Sequence, residues 1–127
     1  VTTATRSRLT GAQRADRRLT GTELQRQITD LAGFYGWLWC HFRALQNRRG
    51  QWQVPVEGPL GAGWPDLLLV HPRRRRVLLV EVKREIGDEL SADQDAVHEV
   101  LRLAGLDVRV WRPSDMTSGA IEEALRP

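Results

Sequence analysis

Gly63-Trp64-Pro65-Asp66-Leu67-Leu68-Leu69-Val70, answered by Val77-Leu78-Leu79-Val80-Glu81-Val82-Lys83, is the stretch whose reading decides the fold. Both runs are apolar and of strand length, and His71-Pro72 with Arg73 to Arg76 forms a polar turn between them. They read as two antiparallel strands. A hairpin symmetric about that turn sets Val70 against Val77 and, counting outward, Asp66 against Glu81. Directly opposed residues hold their Cβ atoms ~4.5–5.5 Å apart, and like charges placed so are destabilising. Lys83 lies two residues past Glu81 and shares its face. Four consecutive apolar residues on each strand imply a sheet covered by helices on both sides. Charge in such a place is costly unless paired or metal-bound. A divalent cation between the two carboxylates removes the conflict.

Upstream, Trp37-Leu38-Trp39-Cys40-His41-Phe42 reads as another strand, its aromatics assigned to the core. Residues 43–62 read as a long loop carrying Arg43, Arg48, Arg49 and Trp52. Loops of this length in a compact domain are usually functional, and arginines with an interleaved Trp suit a nucleic-acid strand. Burial of Trp52 in the core is an equal alternative. A helix begins at Thr20 or Thr22, each with a Glu or Gln three residues on (Glu23, Gln25), as in a capping box. Leu24, Ile28, Leu31 and Tyr35 form its apolar stripe, and Gly33 and Gly36 end it. On this reading Glu23 is a capping residue and Gln27 a solvated neighbour. Residues 1–18 are polar, Arg-rich and aperiodic, and are expected to be a disordered basic arm before a domain spanning 19–127.

Downstream, Ser91-x-x-Gln94 is a second capping box. Ala96, Val97, Val100, Leu101 and Ala104 supply that helix's stripe, and Gly105 its stop. Asp107 to Trp111 alternates as a strand, and a last helix carries Ile121, Ala124 and Leu125. The order α-β-β-β-α-β-α predicts an α/β sandwich, a central mixed β-sheet flanked by helices.

The 127 residues suffice for one domain with a core. No apolar run approaches the ~20 residues of a membrane span, and no secretory signal is expected, so an intracellular, cytoplasmic protein is the expectation. One cysteine, Cys40, excludes an internal disulfide, and Cys and His are too few for a structural zinc site. The net charge is only +3, yet the pI is near 10.0 and arginines cluster at 14–18, 43–49 and 73–76. That pattern fits a polyanion partner, nucleic acid above all. The nineteen basic residues include a single lysine, Lys83, in the Glu-x-Lys position where a compact cation matters most.

Hard divalent cations take oxygen ligands, and Mg²⁺ binds through one or two carboxylates plus phosphate and water. Asp66 and Glu81 supply the carboxylates, and the Val82 backbone carbonyl a third oxygen. Lys83 can orient water or neutralise transition-state charge. His41 is placed at a strand end near this site, Trp64 is held extended by Pro65, and Gly61 and Gly63 are expected to leave room for a phosphate backbone.

Pro65-Asp66, a strand-length gap, then Glu81-Val82-Lys83 resembles the PD-(D/E)xK nuclease motif. With Leu90-Ser91-x-x-Gln94 and the strand running from Gly105 to Arg112, the text from about Thr22 to Arg112 is similar to the virus-type replication-repair nuclease (VRR-NUC) subgroup. That resemblance implies a restriction-endonuclease-like fold and a Mg²⁺-dependent endodeoxyribonuclease, with Mn²⁺ able to substitute. It makes Asp66 and Glu81 metal ligands and Lys83 the catalytic lysine. It also brings Glu23 into the site from the first helix, with Gln94 and Gln27 supporting. Arg43, Arg48, Arg49, Trp64 and Arg84 are the expected DNA contacts. It further implies a homodimer acting on branched DNA such as Holliday junctions, in replication, recombination or repair, with a phage or mobile-element origin and no small-molecule cofactor. Two other readings stand beside it: a catalytically inactive DNA-binding or assembly module of the same fold, and a nuclease acting on RNA.

Overall fold

The computed structural model describes residues 7–53 and 55–127. In chain order the elements are α1 (Gly11–Arg18), α2 (Gly21–Phe34), β1 (Leu38–His41), β2 (Leu45–Gln46), β3 (Trp52–Gln53), a 3-10 turn (Gly61–Gly63), β4 (Leu67–His71), β5 (Arg76–Val82), α3 (Ala92–Leu103), β6 (Asp107–Trp111), α4 (Pro113–Thr117) and α5 (Ala120–Leu125).

The hairpin register is the one expected. Val70 pairs with Val77, and the antiparallel ladder runs out to Leu67 opposite Val80. The main sheet has the order β1-β4-β5-β6, with β1 antiparallel to β4 and β6 parallel to β5. It is therefore mixed, with β4 and β5 at its centre. Alternation along these strands divides the core in two. Leu67, Leu69, Leu78 and Val80 pack with Leu24, Ile28 and Ala32 of α2 and Ile121 and Leu125 of α5. On the opposite face, Leu79 and Val108 pack with Val97 and Leu101 of α3, with Leu68 and Trp64 alongside. Helices thus cover both sides, as the doubly apolar strands require.

Local signals hold where they were specific. Thr20 caps α2 by accepting the Glu23 N–H, and Gly36 follows the helix in the left-handed region (φ 87°). Ser91 and Gln94 form the reciprocal capping box of α3, and Gly105 (φ 92°) closes it.

Several expectations are corrected. Residues 1–6 of the supposed disordered arm lie outside the described residues, but Gly11–Arg18 is a helix capped by a Thr10/Gln13 box and packed on α4, where Thr117 donates to Asp16. It buries no residue, so it carries no apolar periodicity to read. The loop at 43–62 contains the small β2–β3 hairpin, whose turn is fixed by the Asn47 carboxamide accepting the Arg49 and Gln51 N–H groups. Trp37 is core and donates to the Leu125 carbonyl, but Leu38 and Trp39 of β1 are exposed because β1 is an edge strand. Trp52 is 70% exposed, which closes the core alternative for it. The buried stripe of α3 is Val97, His98 and Leu101, while Val100 faces solvent. Gly61 and Gly63 make room for protein rather than for substrate. A Cβ on Gly61 would meet the Val56 carbonyl oxygen, and one on Gly63 the Asp93 carbonyl oxygen and Val97, so α3 docks directly on the 3-10 turn.

Candidate active site

The site lies at the end of the β4–β5 hairpin opposite its arginine turn. Asp66 precedes β4 by one residue, and Pro65 is buried behind it. Its Oδ2 accepts the Val82 N–H at 2.7 Å, which ties the carboxylate to the tip of β5. Glu81 follows Val80 on β5 and is flanked on its other side by Val110 of β6. Alternation sends the Asp66, Glu81 and Lys83 side chains to the α3 face, while Val82 packs toward the α2 face.

Glu81 is 2% exposed. Burial, the charge of Asp66 and a hydrogen bond shared with Asp66 push its carboxyl up to about 9, with Lys83 opposing the shift and Asp88 adding to it. Burial and the neighbouring Asp66 charge both favour the protonated form of Glu81. Gln94 donates its Nε2–H to Glu81 Oε1 at 3.0 Å. Its own carbonyl accepts the Ser91 N–H at 3.0 Å, so the capping box of α3 also decides which end of the amide faces Glu81. Lys83 is buried, with Nζ 4.0 Å from Glu81 Oε1 and 3.4 Å from Asp88 Oδ1. Asp88 also accepts the Arg84 N–H and so closes the loop after β5. His98 is wholly buried, with Nε2 3.5 Å from Glu81 Oε2. Burial, then the nearby Arg102 charge, lowers the His98 pKa, and the ring is neutral at pH 7.

Two clefts, of about 620 and 550 Å³, open on either side of Asp66. The first runs under the β2–β3 hairpin, with Trp52, Trp64 and Gln94 on its walls. The second lies against the start of α2 and holds Gln25, His41, Phe42 and Arg43. Each is within the size range of small-ligand sites.

The structure thus brings together Asp66, Glu81, Lys83 and Gln94, with His41 and Arg43 along the adjoining cleft. It does not bring in Glu23, which is exposed on the first turn of α2 and lines neither cleft. Gln25, two residues on, lines the second cleft. Among the described residues no three His, Cys, Asp or Glu side chains cluster as a metal site, so the acidic set is the Asp66–Glu81 pair alone. Gln27 is exposed and also outside both clefts. Arg48 and Arg49 sit exposed at the tip of the β2–β3 hairpin, and Arg84 is exposed just past Lys83. Trp64 is half-buried, edge-on to Phe42, with its Nε1 buried in the protein. Sequence reading missed Asp88 and His98. His98 was within reach, since it lies four residues after Gln94 and so on the same helix face.

The VRR-NUC domain family profile matches residues 56–115, a span that holds the carboxylate pair, Lys83, Gln94 and His98. Residues 56–115 are thus similar to a VRR-NUC domain. A solved structure described as a VRR-NUC domain superposes with a TM-score of 0.57 at 26% sequence identity, covering 82% of this chain and 97% of that one. No curated protein matches the chain. The VRR-NUC match gives the molecule a nuclease-type fold, and its span leaves out α2 and with it Glu23. Among the described residues no helix is long and apolar enough to cross a membrane.

Proposed function

We propose that this protein is a divalent-metal-dependent nuclease that hydrolyses phosphodiester bonds in DNA at Asp66, Glu81 and Lys83. The observation that carries the reading is a carboxyl 2% exposed, set against a second carboxylate and 4.0 Å from the chain's one lysine, at the end of otherwise apolar strands. Such a cluster is a poor structural element, because desolvated like charges are stable only with a compensating cation or proton. An oxygen-only donor set, Asp66, Glu81 and the Val82 carbonyl, suits Mg²⁺ or Mn²⁺. When bound, such an ion supplies Lewis-acid activation of water and screens charge at the phosphate. Around it, the Val82 N–H holds Asp66, Gln94 holds Glu81, and Asp88 steadies Lys83. The lysine then stabilises charge on the pentavalent phosphate or orients the attacking water.

The DNA strand is read as crossing Asp66 from one cleft to the other. Arg43 and His41 serve the phosphates on one side. On the other, the exposed indole of Trp52 offers a stacking surface to a base. An edge strand that exposes Leu38 and Trp39 favours a homodimer, since two β1 strands can pair antiparallel about a two-fold axis, an arrangement suited to branched DNA.

The test is a cleavage panel with Mg²⁺ or Mn²⁺ over duplex, single-stranded, flap and four-way-junction DNA, with an RNA arm, comparing wild type with Asp66→Ala. Metal-dependent products from wild type alone are expected. Identical products from both proteins refute the reading, and DNA binding without cleavage by wild type points to an inactive binding module.

A further inference from the structure

We propose that His98 is a positioning residue: its ring donates an Nε2–H hydrogen bond to Glu81 Oε2 and fixes the plane of that carboxylate toward a bound divalent cation. The inference rests on the nuclease reading of the site and adds to it a residue of α3.

Gln94 and His98 lie one helical turn apart on the same face of α3 and address the two oxygens of one carboxylate. Gln94 takes Oε1 at 3.0 Å, and His98 Nε2 stands 3.5 Å from Oε2. The second contact is at the outer edge of hydrogen-bonding distance, and a shift of a few tenths of an ångström makes it. Four buried side-chain polar atoms lack a partner among the described residues: Glu81 Oε2, both His98 ring nitrogens and Trp64 Nε1. Two of the four face each other in this one contact, and a third is the other nitrogen of the same ring. An unsatisfied buried polar atom costs ~1–3 kcal/mol. The neighbours of His98 on the stripe, Val97 and Leu101, are apolar, and an apolar residue would serve packing better at this position too.

An ionised carboxylate only accepts, and each of its oxygens needs a donor or a cation. Gln94 is ready for one oxygen and His98 for the other. With both engaged, rotation of the carboxylate about its last bond is blocked and its remaining lone pairs have a fixed direction. Hydrogen bonds of this kind to ligating groups are worth ~10–100-fold in metal affinity.

The test is calorimetric titration of the full chain with Mn²⁺ alone, paired with melting of the metal-free protein in EDTA. His98→Leu keeps the volume and removes the donor. His98→Gln offers an amide N–H near the position of Nε2. The expected result is Mn²⁺ affinity weakened ~10–100-fold in His98→Leu, largely restored in His98→Gln, with the metal-free melting temperature of His98→Leu unchanged or higher. Wild-type affinity in His98→Leu overturns the proposal, as does equal weakening in both variants. Failure of both His98→Leu and His98→Met to fold gives the ring a structural role and overturns it too. A wild type that binds no Mn²⁺ removes the nuclease reading itself, which is a different outcome from unchanged affinity in the variant.

Discussion

Raising the pH should destabilise the metal-free protein, and Glu81 should be the reason. Its carboxyl is pushed from 4.5 to about 9 by burial, by the Asp66 charge and by the hydrogen bond with Asp66. The folded protein therefore holds a proton that the unfolded chain has released throughout that window. Stability is fully present below the unfolded value and is lost as pH rises toward the folded one. One proton of difference corresponds to 1.36 kcal/mol per pH unit, so between about pH 7 and pH 8.5 the loss is about 2 kcal/mol. That range lies above the usual titration of histidine, so His98 contributes little to the slope. The assay is urea unfolding in EDTA at both pH values, for wild type and Glu81→Gln, whose amide does not titrate. Wild type should lose about 2 kcal/mol relative to the variant across the range, and saturating Mn²⁺ should abolish the difference in slope by holding both carboxylates ionised. Equal slopes for the two proteins without metal would show that Glu81 ionises freely and would undo the electrostatic account of the site.

The other expectations are simpler to check. Lys83→Ala should lower turnover of a cleaved DNA by ~10²–10³-fold, the usual loss for one transition-state donor, while gel-shift affinity changes little. Gly63→Ala should destabilise the fold by ~1–3 kcal/mol in denaturant titration, because its Cβ would stand 2.2 Å from the Asp93 carbonyl oxygen. Reversing the charge of Arg73, Arg74 and Arg75 should flatten the salt dependence of DNA binding and leave turnover at saturation unchanged, since these exposed residues lie at the far end of the hairpin from Asp66. Arg76 is left out of that set because it packs over Trp37 and donates to the Ala124 carbonyl.

Much of this molecule was legible in the chain because the deciding signals are local. Two apolar runs around a polar turn set the pairing of Val70 with Val77, and with it the meeting of Asp66 and Glu81. A strand's period of two and a hairpin's symmetry leave little freedom once both faces are apolar. Ser91 and Gln94, and Gly105 beyond the other end, marked the bounds of α3 through capping geometry that involves only near neighbours.

Tertiary structure decided which residues of a helix reach the site, because that depends on the angle at which the helix crosses the sheet. The start of α2 presents Gln25 to the cleft and leaves Glu23 in solvent, a choice that the spacing of its apolar residues did not make. Packing of α3 against the 3-10 turn brought polar His98 into a stripe that reads as Val and Leu, and turned a helix-capping glutamine into a partner of Glu81. Likewise α1 is held by a cap and by α4 rather than by an apolar face, and β1 is exposed because nothing among the described residues pairs its outer edge. The sequence by itself determined the strand pair and its two facing carboxylates, since register is fixed by alternation and turn. Only the folded molecule determined what surrounds them, since burial, desolvation and hydrogen-bond reach arise where elements distant in sequence come into contact.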